Sequence, residues 1–295
     1  LPAAVLCSPV NIKPTKVLLN SAVQIDESRQ YEPSSLDPLI DEISDQIMQG
    51  TIDIPPLPAD MQLLMEKIND QNLTIDQIIE CLQDPLLVSK VLRICNSPFY
   101  GRRGKVDSLR DAVVYMGLKS LMSIVTVNAL NGFSPQHIEK VEQILHHSMM
   151  VGMIAKQLAR DMGGNHDQAF VCGLLHDLGW IVMLEMLSKY DIDDVKRDQL
   201  IRTHHEALGA LVAEKWNLPE EIQTAIRYHH SPDMARNHQN LVQIIHLSNL
   251  LSKNEAPLPE DVTAALAKQS SEWAVPFADH LEELDREIDS ILSNR

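Results

Sequence analysis

The chain has 295 residues, 41 acidic against 25 basic for a net charge of −16, and 44% hydrophobic residues with aromatics at only 4%. That length holds one large domain or two small ones around a buried core. An acidic surface repels phosphate backbones and anionic lipid, which argues against nucleic-acid binding and against a membrane-surface role. Few aromatics beside plentiful Leu, Ile, Val, Ala and Met point to packed helices rather than a β-sandwich.

Cys7, Cys81, Cys95 and Cys172 form no CxxC pair. Free, buried thiols in a reducing cytoplasm are the expectation. No apolar run reaches the roughly 18 uncharged residues of a membrane span. The nearest, Phe170 to Leu187, carries His176, Asp177 and Glu185. Leu1-Pro2-Ala3-Ala4 has neither Met nor a basic stretch, so no signal peptide is expected there and an upstream segment is.

Residues 1–50 read as an extension or linker, with a short strand near Val17 to Ile25, a turn at Glu32 to Ser35 and a helix from Ser35 to Met48. The proline cluster Pro55-Pro56-Leu57-Pro58 then opens a helical region. Met61, Leu64, Met65 and Ile68 fall at helical spacing. Thr74 to Gln77 reads as a capping box, leading into a helix through Ile78, Ile79 and Leu82. Asp84-Pro85 closes that helix and starts the next, which carries Leu87, Val91, Leu92 and Cys95 and ends at Asn96-Ser97-Pro98. Asn96 reads as a helix C-terminal residue. Further helices are expected near Leu109 to Met116 and Lys119 to Leu130.

A long helix is predicted from about Gln136 to Met162, stopped by Gly163-Gly164. Met149, Met150 and Met153 fill core positions on it. His147, three after Ile144 and four before Val151, falls on its inward face, whereas His146 falls on the wetter side. His176-Asp177 sits among apolar neighbours in Gly173-Leu174-Leu175-His176-Asp177-Leu178-Gly179, so its carboxylate is expected to be buried and to need a cation or donors. His205 lies inward, four after Ile201, although His204 aligns equally with Leu200 and Leu208. His229-His230 closes an amphipathic helix carrying Ile222, Ala225 and Ile226. Trp216 with Leu218-Pro219 reads as core and a helix stop. Cys172, four before His176, reads as a buried thiol rather than a pocket residue. The acidic run from Glu282 to Asp289 reads as the solvated face of a terminal helix.

His147, His176, Asp177, His205, His229 and His230 thus form a candidate cluster, spaced by 29, 29 and 24 residues between successive elements. Imidazole and carboxylate suit one or two divalent ions of iron, manganese, zinc or nickel. Such a site can activate water for phosphoester hydrolysis. The alternative is a set of hydrogen-bonded core and helix-end histidines.

Pro56-Leu57-Pro58, Asp84-Pro85-Leu86-Leu87, Lys90 to Ser97 and Ala112 to Gly117 resemble the first part of the HDOD domain. His147-Ser148, Gly173 to Gly179, His205 to Gly209, Trp216 to Pro219 and His229 to Pro232 resemble its continuation. The resemblance covers about residues 51–252, leaving 1–50 as extension and 253–295 as a C-terminal helical tail. It implies an all-α fold, an N-terminal helical subdomain packed on an HD-like bundle, related to the HD phosphohydrolases and the HD-GYP cyclic-di-GMP phosphodiesterases. His147, His176 and Asp177 match the first three HD ligands, and His205, His229 and His230 match the further histidines of HD-GYP proteins.

Two positions depart from that pattern. Asn249 stands where the last HD aspartate is expected, and a neutral amide neither neutralises a metal nor acts as a base. Trp180 follows Asp177-Leu178-Gly179 where HD-GYP proteins have lysine, and an indole carries no cation. The GYP motif is also absent. The expectation is a cytoplasmic bacterial signalling module that keeps a metal site without catalysis and acts through protein contacts. A homodimer and a nucleotide or phosphate ligand are further expectations, and a metal-dependent phosphohydrolase is the alternative.

Overall fold

The computed structural model describes residues 38–56, 74–82, 85–97, 105–131, 134–253, 286 and 288–289. The expected strand near Val17, the helix around Met61 to Ile68 and most of the acidic C-terminal run lie outside the described residues. Among those described, the secondary structure is all helical. The helices are α1 (Pro38–Gln49), α2 (Ile75–Cys81), α3 (Pro85–Asn96), α4 (Leu109–Asn131), α5 (Ile138–Asp161), α6 (His166–Leu175), α7 (Leu178–Leu187), α8 (Asp194–Lys215), α9 (Glu220–Tyr228) and α10 (Gln239–Ser252).

Local chemistry sets many boundaries where the residue pattern places them. Thr74 caps α2 with a complete capping box: Thr74 Oγ1 accepts from the Gln77 amide, and Gln77 Oε1 accepts from the Thr74 amide at 2.9 Å. Gly163 takes φ 69° beyond α5, and Gly164 N donates to Ala159 O at 2.7 Å, closing the helix with a left-handed glycine. Asn96 does more than end α3. Its Nδ2 donates to Leu92 O and Val106 O, both at 2.8 Å, and its Oδ1 accepts from Val106 N at 2.7 Å, so one side chain ties the helix end to the residues leading into α4. α4 carries a break at Gly117, φ 79° and ψ 156°, which divides it into the two helical pieces read from the residues.

α2 and α3 pack against α4, and α4 in turn packs on α5 and α6. The remaining helices form the bundle: α5 pairs with α6 and α10, α7 with α8, and α8 with α9. Phe170, Met149, Met153, Ile154, Ile201, Leu208 and Ile226 lie in its buried core. α1 and the residues through Pro55 lie along α8 and its end. Ile43 and Ile47 of α1 are buried, Ser44 meets His204, Lys215 Nζ donates to Ile54 O at 2.7 Å, and Trp216 Nε1 donates to Pro55 O at 3.2 Å.

Two glycine contacts set how closely the site-bearing helices approach. A Cβ on Gly173 of α6 would stand 2.7 Å from Gly152 Cα of α5. A Cβ on Gly179 of α7 would collide with the His205 carbonyl oxygen and stand 2.9 Å from Gly209 N of α8. Only the missing side chains let these backbones touch, and each contact lies within a turn or two of a candidate ligand.

The helical run His166–Leu187 is long and apolar enough by composition to cross a membrane, but 89% of its window is buried inside the fold. Cys95 and Cys172 form no disulfide and are fully buried. Cys172 Sγ points to Glu221 O at 3.7 Å.

Candidate metal centre

His176 ends α6 and Asp177 stands at the N-cap of α7, so the pair occupies a helix-to-helix joint. An aspartate at that place ordinarily caps the helix with its carboxylate, which is worth about 1 kcal/mol. Asp177 makes no such bond. Its carboxylate turns inward instead, 8% exposed, toward four imidazoles.

Asp177 Oδ2 lies 3.2 Å from His176 Nε2 and 3.6 Å from His147 Nε2. Asp177 Oδ1 lies 3.4 Å from His229 Nε2 and 3.7 Å from His205 Nε2. His205 Nε2 and His229 Nε2 are 3.4 Å apart. The His230 ring stands 4.1 Å from the His229 ring and 5.2 Å from the His205 ring. Two trios result, His147 with His176 and Asp177, and His205 with His229 and His230, each with its ligand atoms within 4.8 Å of one another. The single carboxylate faces both.

The opposite edges of the rings fix their protons. His176 Nδ1 donates to Gly173 O at 2.8 Å, His229 Nδ1 to Ile226 O at 2.8 Å, and His205 Nδ1 to Ile201 O and Arg202 O at 3.1 Å. A carbonyl only accepts, so each Nδ1 carries the hydrogen and each neutral ring presents the Nε2 lone pair inward. Ser252 Oγ gives its hydrogen to Asn249 O at 2.8 Å and so accepts from His147 Nδ1 at 3.3 Å, with the same result. This is the arrangement of metal-ligating histidines, whose distal nitrogen is held by an outer acceptor.

Electrostatics follow from burial. Burial, reinforced by His176, lowers His147 to about 4, and burial lowers His205 to about 4 against the opposing pull of Asp177. Burial also lowers His229. For Asp177, burial acts upward, but contact with His176, His229 and His205 outweighs it and holds the carboxyl well below the usual range. At neutral pH an ionised Asp177 therefore stands among the neutral rings of His147, His205 and His229. His147 Nε2, His176 Nε2, Asp177 Oδ1 and Asn249 Oδ1 are buried and lack a hydrogen-bond partner. Buried electron-pair donors aimed at one another are costly unless a cation lies among them.

All six residues singled out in the sequence converge here. His146, by contrast, faces outward toward Asp289 at 3.4 Å. His204 and His205 are both buried but diverge: His205 enters the site, and His204 Nε2 meets Ser44 Oγ of α1 at 3.0 Å. Asn249 of α10 is 3% exposed and acts on His147, in keeping with the aligned position. Several supporting residues escaped sequence reasoning. Ser252 orients His147. His246 Nδ1 donates to His229 O at 2.7 Å, and Glu206 Oε1 accepts from His230 N at 3.3 Å. Arg202 lies over the Trp180 ring, 5.7 Å from its centroid. Trp180 indeed lacks a charge of its own, but it carries a cation in space.

The family model of the HDOD domain matches residues 54–232. The chain belongs to the HDOD domain family. In this HDOD protein the bundle runs past the matched stretch, since α10, with Asn249 and Ser252, packs on α5 and α6. Its fold is similar to that of a protein from Shewanella amazonensis assigned as a metal-dependent phosphohydrolase, with TM-score 0.68 and 17% identity over 85% of this chain and 98% of that one. It is also similar to an HDOD domain protein of unknown function from Geobacter sulfurreducens, with TM-score 0.58 and 22% identity over 85% and 97% of the two chains. An uncharacterized protein of Treponema pallidum is 27% identical over 219 residues, and ribonuclease Y of Thermus thermophilus is 24% identical over 204. The chain spans 42% and 30% of the length of those two relatives, and they cover 67% and 68% of it.

Proposed function

We propose that this chain is a bacterial, cytoplasmic signalling or regulatory HDOD module that holds divalent transition metal in its HD-derived site and works through protein contacts rather than catalysis. The observation that carries the metal reading is the convergence of four Nε2 lone pairs on the two oxygens of Asp177, with no donor to satisfy Asp177 Oδ1. His147, His176 and Asp177 would hold one ion, and His205, His229 and His230 a second, with Asp177 between them. Nitrogen and carboxylate ligands fit iron, manganese, zinc or nickel.

A metal bound there supplies Lewis acidity and acidifies coordinated water. The chain's own residues supply less. Asn249 contributes a neutral oxygen where a carboxylate would offset metal charge or take a proton. Buried near His147, it leaves that side of the site one negative charge short. These features support a retained site with lost turnover, and the chain's acidity weighs against a polynucleotide substrate.

The test uses untagged protein purified without chelators. Metal content is measured together with hydrolysis of cyclic dinucleotides and a generic phosphomonoester. The expected result is at least one equivalent of metal per chain with no turnover. Hydrolysis abolished by His176→Ala, and not raised by Asn249→Asp, would establish the phosphohydrolase alternative. Metal well below one equivalent sinks both readings.

A further inference from the structure

The cation that the residue after Gly179 does not provide is supplied by the neighbouring helix. Trp180 sits in the first turn of α7, and its indole lies 5.5 Å from the His205 ring, tilted by 46°. Arg202, one turn before His205 on α8, places its guanidinium carbon 5.7 Å from the centre of the same indole. Arg202 is exposed, while Trp180 is half-buried. Among the described residues no carboxylate pairs with Arg202, in a chain whose acidic residues outnumber its basic ones by 41 to 25. Its backbone carbonyl accepts from His205 Nδ1, so its own turn of helix is joined to the candidate ligand.

An aromatic face holds a guanidinium by cation–π attraction and leaves its N–H edge open. That edge is a planar fork suited to two oxygens of one phosphate group. Nearby, His230 is partly exposed, and Glu206, one turn after Arg202, is engaged by the His230 amide at 3.3 Å. We propose that Arg202, positioned by Trp180, is the anion-recognition residue of this site, and that its ligand is a small phosphate ester. The metal-site reading gives the ligand its location; the anion contact itself stands on Arg202 and Trp180. A polynucleotide is disfavoured because the net charge of −16 repels a polyanion.

Calorimetric titration with inorganic phosphate, with adenosine 5′-monophosphate and with a short single-stranded RNA tests this at fixed ionic strength. The proteins are wild type, Arg202→Gln, Trp180→Phe and Trp180→Leu, with metal content and urea midpoint measured on each sample. Arg202→Gln is expected to weaken phosphate and mononucleotide binding about tenfold or more, with metal content and midpoint unchanged. Trp180→Leu should weaken them too, and Trp180→Phe should keep most of the affinity. Equal affinity in wild type and Arg202→Gln, or no phosphate binding by wild type, overturns the inference. Tightest binding by the RNA overturns the small-molecule assignment. If wild type holds no metal, the metal reading fails separately. Arg202-dependent phosphate binding by that metal-free protein then sustains the anion inference, and its absence ends it.

Discussion

Asp177 meets His229 through Oδ1, 3.4 Å from Nε2, and meets His176 through Oδ2, 3.2 Å from Nε2. One carboxylate therefore belongs to one ligand trio and faces the other, at the joint where α6 gives way to α7. Asp177→Asn keeps the shape and removes the charge both trios face. Metal content measured by mass spectrometry should fall from at least one equivalent to about a tenth or less, since a single lost ligand costs both sites. Retention of full metal content would show that the trios bind independently of this carboxylate.

Asn249→Asp places a second carboxylate beside His147. Metal affinity, read by competition with a chelator, should rise about tenfold or more. The metal-free protein should melt lower, because it then buries two negative groups together. Opposite signs in the loaded and metal-free states are the signature of a ligand position.

Acid should destabilise the metal-free protein through a definite window. In the unfolded chain the imidazoles of His147 and His205 take up protons near 6.5, whereas in the fold they do so only at about 4. Between those values the unfolded state binds more protons, so their contribution is present above 6.5 and lost as pH falls toward 4. Asp177, held well below 3.8, adds a further loss at lower pH as it falls through its folded value. Urea midpoints of metal-free protein at pH 7.5, 5.5 and 4.5 should decline in that order, and a flat series would contradict the buried neutral rings.

Gly179→Ala should cost about 3 kcal/mol or more, because its Cβ meets backbone of His205 and Gly209 that cannot rotate away. Gly209→Ala should cost less, since its closest neighbour is Ile226 Cγ2, a side-chain end at 2.7 Å. The displaced α8 would also carry His205 away, so the Gly179 variant should lose metal where the Gly209 variant keeps it. Denaturant unfolding and metal analysis on the two proteins separate these effects.

Ser44→Ala removes the partner of a buried imidazole. Leaving His204 Nε2 without its hydrogen bond should cost about 1–2 kcal/mol in urea unfolding. Metal content should be unaffected, because His204 faces α1 and not the ligand cluster.

Much of the site was legible in linear order. Helical periodicity separated His147 from His146, the apolar flanks of His176-Asp177 announced a buried carboxylate, and Thr74, Asn96 and Gly163 marked helix ends by their own hydrogen-bonding and backbone chemistry. Those features act within a turn or two of chain, so residue order alone determined them, along with the all-helical class. Periodicity states only whether a side chain faces inward, not what it meets there. His204 and His205 are both inward, and only the packing of α1 and α9 on opposite parts of α8 assigned one to Ser44 and the other to His229. The placement of Asp177 where it faces both trios, the glycine contacts that bring α5 to α6 and α7 to α8, and the Arg202 cation over Trp180 likewise join residues far apart in sequence. Tertiary structure decided them because each depends on the distance and angle between helices.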